Sequence, residues 1–167
     1  EERKEIIFLS SNEDNWMIRD IMEIRTATIA DLAQIAAVEA ECFPAAEAAT
    51  KEEFAERIKY YGNHFWLMFE DEKLIAFVDG FVTDKPDLTD EMYERAEMHD
   101  ENGAWQMIFG VNTIPAYRKH GYAGQLLQWA IEDARKQGRK GLVLTCKEKL
   151  IAYYAKFGFV NEGISES

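Results

Sequence analysis

Apolar and polar positions follow two periods along this chain, and the switches between them mark its elements. Residues 22–27 alternate apolar with polar side chains and predict a strand. Thr28 and Asp31 then read as a capping box, and Leu32, Ile35, Ala36 and Val38 recur at helical spacing. That helix reaches about Cys42 and stops at Phe43-Pro44, before a loop of small residues over 45–49. Thr50 and Glu53 form a second capping box, opening a helix that reaches Tyr61 and ends at Gly62-Asn63. Two apolar runs, 65–70 and 73–82, flank a short Asp71-Glu72 turn and predict a hairpin. Residues 89–99 read as an acidic surface helix and 105–111 as an apolar strand. A long helix is expected over 125–137, with Leu126, Leu127, Ala130, Ile131 and Ala134 inward and Gly138 closing it. Residues 141–146 form a further apolar strand, 150–157 a short helix, and Phe159-Val160 the start of another strand.

This succession predicts an α/β fold (an α+β mixed sheet), with antiparallel strands first and a parallel pair where the long helix crosses over. A ligand is expected where the strands flanking that crossover diverge at their carboxyl ends. Residues 105–138 carry the candidate chemistry. Strand, glycine-containing loop and helix N-terminus together make an anion site, because the first helical N–H groups lack partners and the dipole is positive there. Gly121, Ala123 and Gly124 keep the loop thin, and Arg118, Lys119 and His120 add positive charge, so the loop is expected to grip a pyrophosphate.

Composition narrows the classes. With 31 acidic and 19 basic residues among 167, the net charge is −12, which argues against non-specific nucleic-acid binding and is compatible with a cationic substrate. Cys42 and Cys146 are far apart and form no disulfide framework or zinc pattern, so a reducing cytoplasm is the expected compartment and no metal is expected. No apolar run reaches the roughly 18 residues that a membrane span needs, so no membrane partner is expected. Residues 1–21 read as an upstream extension, with a strand at 6–9 and a polar loop at 10–15; residues 22–167 read as a single domain.

Arg118-Lys119-His120-Gly121-Tyr122-Ala123 resembles the (Arg/Gln)-x-x-Gly-x-(Gly/Ala) motif of the GNAT superfamily of acyl-CoA-dependent N-acetyltransferases. The context matches as well: Val111, Thr113 and Pro115 precede it in the family's spacing, a long helix and a strand follow, and Tyr154-Ala155-Lys156-Phe157-Gly158-Phe159 resembles the family's Tyr-x-x-x-Gly-Phe segment. The run from Cys146 to Phe159, the Glu39-Ala40-Glu41-Cys42-Phe43 segment and Asn161-Glu162-Gly163 resemble the arylalkylamine (serotonin-type) branch and its small microbial relatives.

The resemblance implies an acyl-CoA N-acyltransferase fold with a splayed parallel pair around the cofactor groove, acetyl-CoA as co-substrate, and a small amine acceptor. Cofactor contacts are expected at Val111, Asn112, Thr113, Arg118, Lys119, His120, Gly121, Tyr122, Ala123 and Gly124. The main chain of Val111 and Thr113 would pair with pantetheine like an added strand, and the Val111 N–H would stabilise the oxyanion. Gly110 or Asn112 is the expected site of a bulge that opens the groove. Tyr154 would protonate the leaving thiolate, while Tyr153 packs. Phe43 and Pro44 would wall the acceptor site.

The branch carries two histidines on the organising strand, where this chain has Met107 and Phe109. Candidate bases are Glu41, Asp79, His99 and Glu101. Met107 and Phe109, with Trp105, either line an apolar acceptor pocket or form a core face. Two other functions keep the same fold: acetylation of a protein N-terminus or lysine, and acyl-CoA sensing without turnover. The family's last strand has no counterpart before Ser167, so the strand at 6–9 is expected to replace it, in cis or from a neighbour, or the open edge to form a homodimer.

Overall fold

The structure, a computed structural model, describes the backbone of residues 4–8 and 16–20 and the whole of residues 22–163. Strands β1 (Lys4–Phe8) and β2 (Trp16–Asp20) pair antiparallel in a two-stranded sheet of their own. Residues 6–8 therefore do not close the main sheets of their own chain, because they pair with residues 16–18 in a separate sheet; Leu9 and the predicted loop 10–15 lie outside the described residues. No strand forms at Phe159-Val160 either, and the chain is irregular from there to Gly163.

The next elements are β3 (Glu23–Thr26), α1 (Leu32–Cys42) and α2 (Lys51–Tyr61). The capping box before α2 is realised on both sides: the Glu53 N–H donates to Thr50 Oγ1 at 3.1 Å, and the Thr50 N–H to Glu53 Oε1 at 3.0 Å. At the first box, the Asp31 carboxylate accepts from the Thr28 N–H and from both terminal nitrogens of Arg25, and a single 3-10 turn precedes α1. Strands β4 (Phe65–Glu70) and β5 (Lys73–Asp79) form the predicted hairpin. Short β6 (Val82–Thr83) follows, and residues 89–99 fold as α3 (Asp90–Glu94) plus a 3-10 turn rather than one helix.

The strand predicted over 105–111 is two strands, β7 (Trp105–Met107) and β8 (Gly110–Thr113), which belong to different sheets. Helix α4 (Tyr122–Lys136), strand β9 (Gly141–Val143) and helix α5 (Ile151–Ala155) complete the chain. One sheet runs β3-β4-β5-β8, all antiparallel; the other runs β6-β7-β9, with β7 and β9 parallel across the α4 crossover. The mixed architecture and the parallel pair are as predicted.

Strand β4 is apolar on both faces because α1 and α2 cover one side of the sheet and α4 the other; Phe54 and Phe77, for example, meet edge to face at 5.8 Å. Trp66 donates its indole N–H to Asp133 Oδ2 at 2.7 Å, tying α4 down. The two sheets meet at Gly80, which separates β5 from β6. A Cβ there would lie 1.8 Å from the Met107 carbonyl oxygen, so the backbones cross at a distance only glycine allows.

Candidate functional site

The split between β7 and β8 makes a groove. Neighbours on opposite sides claim successive amides: Met107 N–H donates to Phe81 O at 2.8 Å, Ile108 N–H to Val143 O at 2.8 Å, and Phe109 N–H to Asp79 O at 2.7 Å. Gly110 is also paired with Asp79, so Phe109 and Gly110 together oppose one residue, which is a bulge. Beyond it, β8 follows β5 while β9 ends at Val143, and residues 144–147 leave the ladder. Strand β8 is thus the edge of its sheet.

Ladder parity decides what that edge offers. Ile114 N–H donates to Ile75 O at 2.9 Å, so Asn112, two residues earlier, also faces β5. The N–H groups of Val111 and Thr113 then point into the groove. The Thr113 carbonyl, on the same side, accepts from Arg118 Nε at 3.0 Å and from the Cys42 thiol at 3.3 Å. Arg118 therefore straps the following loop to the strand. That loop turns through left-handed conformations at Lys119 (φ 68°) and Gly121 (φ 80°) and delivers the chain into α4 at Tyr122. The helix begins three residues before the sequence predicts, so Tyr122, Ala123 and Gly124 form its first turn, with N–H groups that no residue four back can accept. Arg118, Lys119, His120 and Gly121 are exposed, and the His120 ring stacks on Tyr122.

Helix α5 lies against this first turn. A Cβ at Gly124 would stand 3.1 Å from the Phe157 ring and 3.7 Å from the Tyr153 hydroxyl. Tyr154 is half-buried, with Phe159 against its ring, and burial pushes its hydroxyl up to about 12. It is a phenol, able to donate, throughout the neutral range.

On the other face of the bulge, α1 and α2 cover a buried polar cluster. Asp79, 1% exposed, accepts from Arg57 Nη1 through Oδ2 at 3.1 Å. Arg57 Nη2 donates to the Tyr93 carbonyl at 3.1 Å; the Tyr93 ring packs on Phe109 at 4.8 Å, and its hydroxyl is 3.4 Å from Thr145 Oγ1. Glu39 spans the other side, accepting from the Asn112 amide at 3.0 Å and from the Ala49 N–H at 2.9 Å. Gly110 separates the two halves: a Cβ there would be 3.0 Å from Asp79 Oδ1 and 3.3 Å from Asn112 Nδ2. Burial pushes Asp79 up to about 6 although Arg57 opposes the shift, and burial raises Glu39 as well. Three buried polar atoms here, Arg57 Nε, Tyr61 Oη and Asn112 Oδ1, have no partner among the described residues.

Of the residues predicted from sequence, Asp79 enters this cluster while Glu41 is exposed on α1. Phe43 and Pro44 are exposed at the start of the loop that Glu39 anchors through Ala49. Trp105 and Met107, two apart on β7, share a strand face that packs on the core, but the break puts Phe109 outside that strand: Trp105 covers Gly141, Met107 is fully buried, and Phe109 is half-buried beside Tyr93. Glu39 was not among the candidate bases, although it lies four residues after Ile35, a carboxylate on the apolar stripe of α1.

His99 and Glu101 belong to a second cluster. The Val82 N–H donates to His99 Nδ1 at 3.0 Å, so the ring proton sits on Nε2 and donates to Glu101 at 2.9 Å. His64 lies between Gln106 Oε1 (2.9 Å) and Glu101 (3.0 Å), and Arg139 donates to Glu101. These side chains lie close enough together to suggest a metal, but the proton on His99 Nε2 removes the lone pair a metal ion needs. Arg139 follows α4, which at 15 residues is about 22 Å long, so this cluster sits at the opposite end of that helix from Gly121.

A cavity of about 250 Å³ opens between α2 and α3, lined by Arg57 and Tyr93 on the cluster side and by Glu52, Glu53, Glu56 and Glu94 outside. No helix among the described residues is long and apolar enough to cross a membrane.

Residues 32–159 match the model of the acetyltransferase (GNAT) family. Among solved structures, the chain is similar to the loading GNATL domain of CurA from Lyngbya majuscula, with a TM-score of 0.70 at 19% identity, covering 81% of this chain and 69% of that one. It is also similar to the GphF GNAT-like decarboxylase in complex with isobutyryl-CoA, at 0.68 and 25% identity over 83% and 72% of the two chains. Glucosamine-6-phosphate N-acetyltransferase from Arabidopsis thaliana is a third, at 0.65 and 19% identity over 88% and 97%. No curated protein sequence matches the chain.

Proposed function

Because the chain belongs to the GNAT family of acetyltransferases, we propose that it transfers the acetyl group of acetyl-CoA to a primary amine, with a small arylalkylamine as the expected kind of acceptor. The observation that carries this reading is the open amide edge of β8, followed after a 3-10 turn at Pro115–Tyr117 by the thin loop and free first turn of α4. Pantetheine pairs with Val111 and Thr113 as an added strand, and the pyrophosphate rests on the N–H groups between Lys119 and Gly124. The Val111 N–H receives the charge that develops on the thioester oxygen.

The amine nitrogen attacks the thioester carbon, the C–N bond forms, and the C–S bond breaks. The departing sulfur takes its proton from the Tyr154 phenol, and the ammonium of the tetrahedral intermediate returns one to the phenolate. The acidic lining of the cavity beside Arg57 and Tyr93 supports a cationic acceptor, and the aromatic rings of Phe109 and Tyr93 support one with an apolar body.

The test is turnover. Acetyl-CoA is incubated with arylalkylamines, polyamines and peptides, and free thiol is followed; thiol release with an amine is expected, and cofactor binding without release from any acceptor would overturn the reading. Tyr154→Phe is expected to lower kcat roughly 10–100-fold at neutral pH with the KM for acetyl-CoA kept. A second reading, acyl-CoA decarboxylation, is favoured by the likeness to the GphF decarboxylase, and carbon dioxide release from a carboxyacyl-CoA is its signature in the same assay.

A further inference from the structure

Strands β7 and β9 pair as far as Met107 and Val143 and then part. Continued by two residues, the same register would set Thr145 opposite Phe109. Instead the opening is bridged from α3. The Tyr93 ring lies 4.8 Å from that of Phe109, and its hydroxyl is 3.4 Å from Thr145 Oγ1. One side chain thus touches both walls of the splay at its first open rung. Resting on the amine-acetylation reading, we propose that Tyr93 determines which amines are accepted: its ring narrows the opening so that the nitrogen must stand on an unbranched carbon.

Both walls lead to the reacting atoms. Phe109 is two residues, about 7 Å of strand, before Val111, whose N–H faces the groove. On the other wall, Cys146 follows Thr145 and is near enough to Tyr154 for negative charge on one to disfavour it on the other. The thioester carbon therefore lies past Tyr93, between the Val111 N–H and the Tyr154 phenol. A nitrogen that reaches it has the Tyr93 ring behind it, and the part of the acceptor that meets the ring is its first one or two carbons.

The root of this side chain is fixed and its tip is loose. The Tyr93 carbonyl accepts from Arg57 Nη2 at 3.1 Å, and Asp79 holds Arg57 in turn. The preceding residue, Met92, is fully buried. The hydroxyl contact with Thr145 is longer than the roughly 2.7–2.8 Å of a good hydroxyl pair, so it breaks at little cost. The ring can tilt in the opening but cannot leave it. A methylene passes beside it, whereas a branch on that carbon has to press the ring into Phe109 or off Thr145.

The neighbouring side chains cannot take this part. Phe109 is packed between Phe81, at 5.0 Å, and Tyr93, and Met107 is fully buried. Tyr93 also lines the cavity that carries Glu52, Glu53, Glu56 and Glu94, so a cation drawn to those carboxylates arrives at the same ring. The face of a phenol ring attracts an ammonium, which favours a charged, slender chain end over a neutral or branched one.

The experiment measures kcat/KM for an arylethylamine and for the same amine with a methyl group on the carbon next to nitrogen. The proteins compared are wild type, Tyr93→Ala, Tyr93→Phe and Thr145→Trp, with acetyl-CoA affinity measured separately. Any loss of reactivity intrinsic to the methyl group is common to all four and cancels between them. Wild type is expected to favour the unbranched amine by about tenfold or more. Tyr93→Ala is expected to lower that ratio about fivefold, chiefly through the KM of the branched amine, with acetyl-CoA affinity within about twofold. Tyr93→Phe keeps the ring and frees its tip from Thr145, and its ratio is expected between those two. A ratio near one in wild type, or a ratio unchanged in Tyr93→Ala, overturns the proposal. Should Tyr93→Ala fail to fold, Thr145→Trp decides, because Thr145 is exposed and a larger side chain there narrows the same opening. It is expected to raise the ratio about threefold, and an unchanged ratio overturns the proposal. A wild type that acetylates no amine instead sinks the functional reading beneath it, a result visible before any variant is made.

Discussion

Two polar clusters flank the ring of Tyr61, and each sets an arginine against an acid. On one side stand Asp79, Arg57, Glu39 and Asn112; on the other, His64, His99, Glu101 and Arg139. Tyr61 meets the second through His99, at 5.5 Å between rings, and the first through its helix neighbour Arg57. The difference is saturation. In the histidine cluster every ring nitrogen has a partner, and Arg139 closes the ring of contacts on Glu101 and on the carbonyls of Glu101 and Gly103. In the aspartate cluster three buried polar atoms are left over, one of them beside the bulge. A saturated network holds a fold together; an unsaturated one, next to a groove, has donors and acceptors still to assign.

That contrast is broken most directly by kinetics. Asp79→Asn, which leaves buried Arg57 uncompensated beside the bulge, is expected to lower kcat about tenfold or more, whereas Glu101→Gln is expected to leave kcat within about twofold. Comparable losses in both would show that saturation does not separate the two clusters.

Stability should rank them the other way. Glu101→Gln removes one partner from two imidazoles and a guanidinium, and Tm is expected to fall by roughly 2–6 °C, a modest figure because Glu101 is half-exposed and screened. Acid sharpens the point. Desolvation pushes Glu101 up, but hydrogen bonds from His99, His64 and Asn63 outweigh it and hold the carboxyl down at about 2. A depressed carboxyl stabilises the fold above its unfolded value and loses that contribution as pH falls. The stability gap between wild type and Glu101→Gln is therefore expected to close between about pH 4.5 and 2 in urea melts at stepped pH. The smallest effect belongs to Tyr61→Phe. Its hydroxyl has no partner among the described residues, so losing it should leave Tm unchanged or slightly raised by thermal denaturation; a fall of several degrees would mean that a hidden bond satisfies it.

The strand, loop and helix of the candidate cofactor side were readable from the chain because backbone makes them. A strand before the loop and a long helix after it are features of local spacing, and both are present, with Gly121 at a left-handed φ between them. The start of α4 was misjudged by three residues because Tyr122, Ala123 and Gly124 carry no apolar period of their own. The break after Met107 was not readable at all. Residues 105–111 look like one uninterrupted strand, and only the competing carbonyls of Asp79 and Val143 divide it. The buried polar cluster beside the bulge was half readable for the same reason. Asp79 was one candidate among four, its rank set by neighbours from α1, α2 and β8 that no local window contains, and Glu39 passed as an ordinary member of its helix. The strand at the beginning of the chain was seen, but its partner was not: pairing depends on residues 16–20, whose own pattern is weak.

The crossing at Gly80 has a consequence for how this sequence varies under selection. Every alanine, serine or larger side chain would set a carbon 1.8 Å from the Met107 carbonyl, closer than atoms can approach. In a library of all single substitutions sorted only for abundance, position 80 should thus be as bare as any in the molecule. Read as letters, such invariance looks like a mark of chemistry; here it is the imprint of two strands passing through the same space.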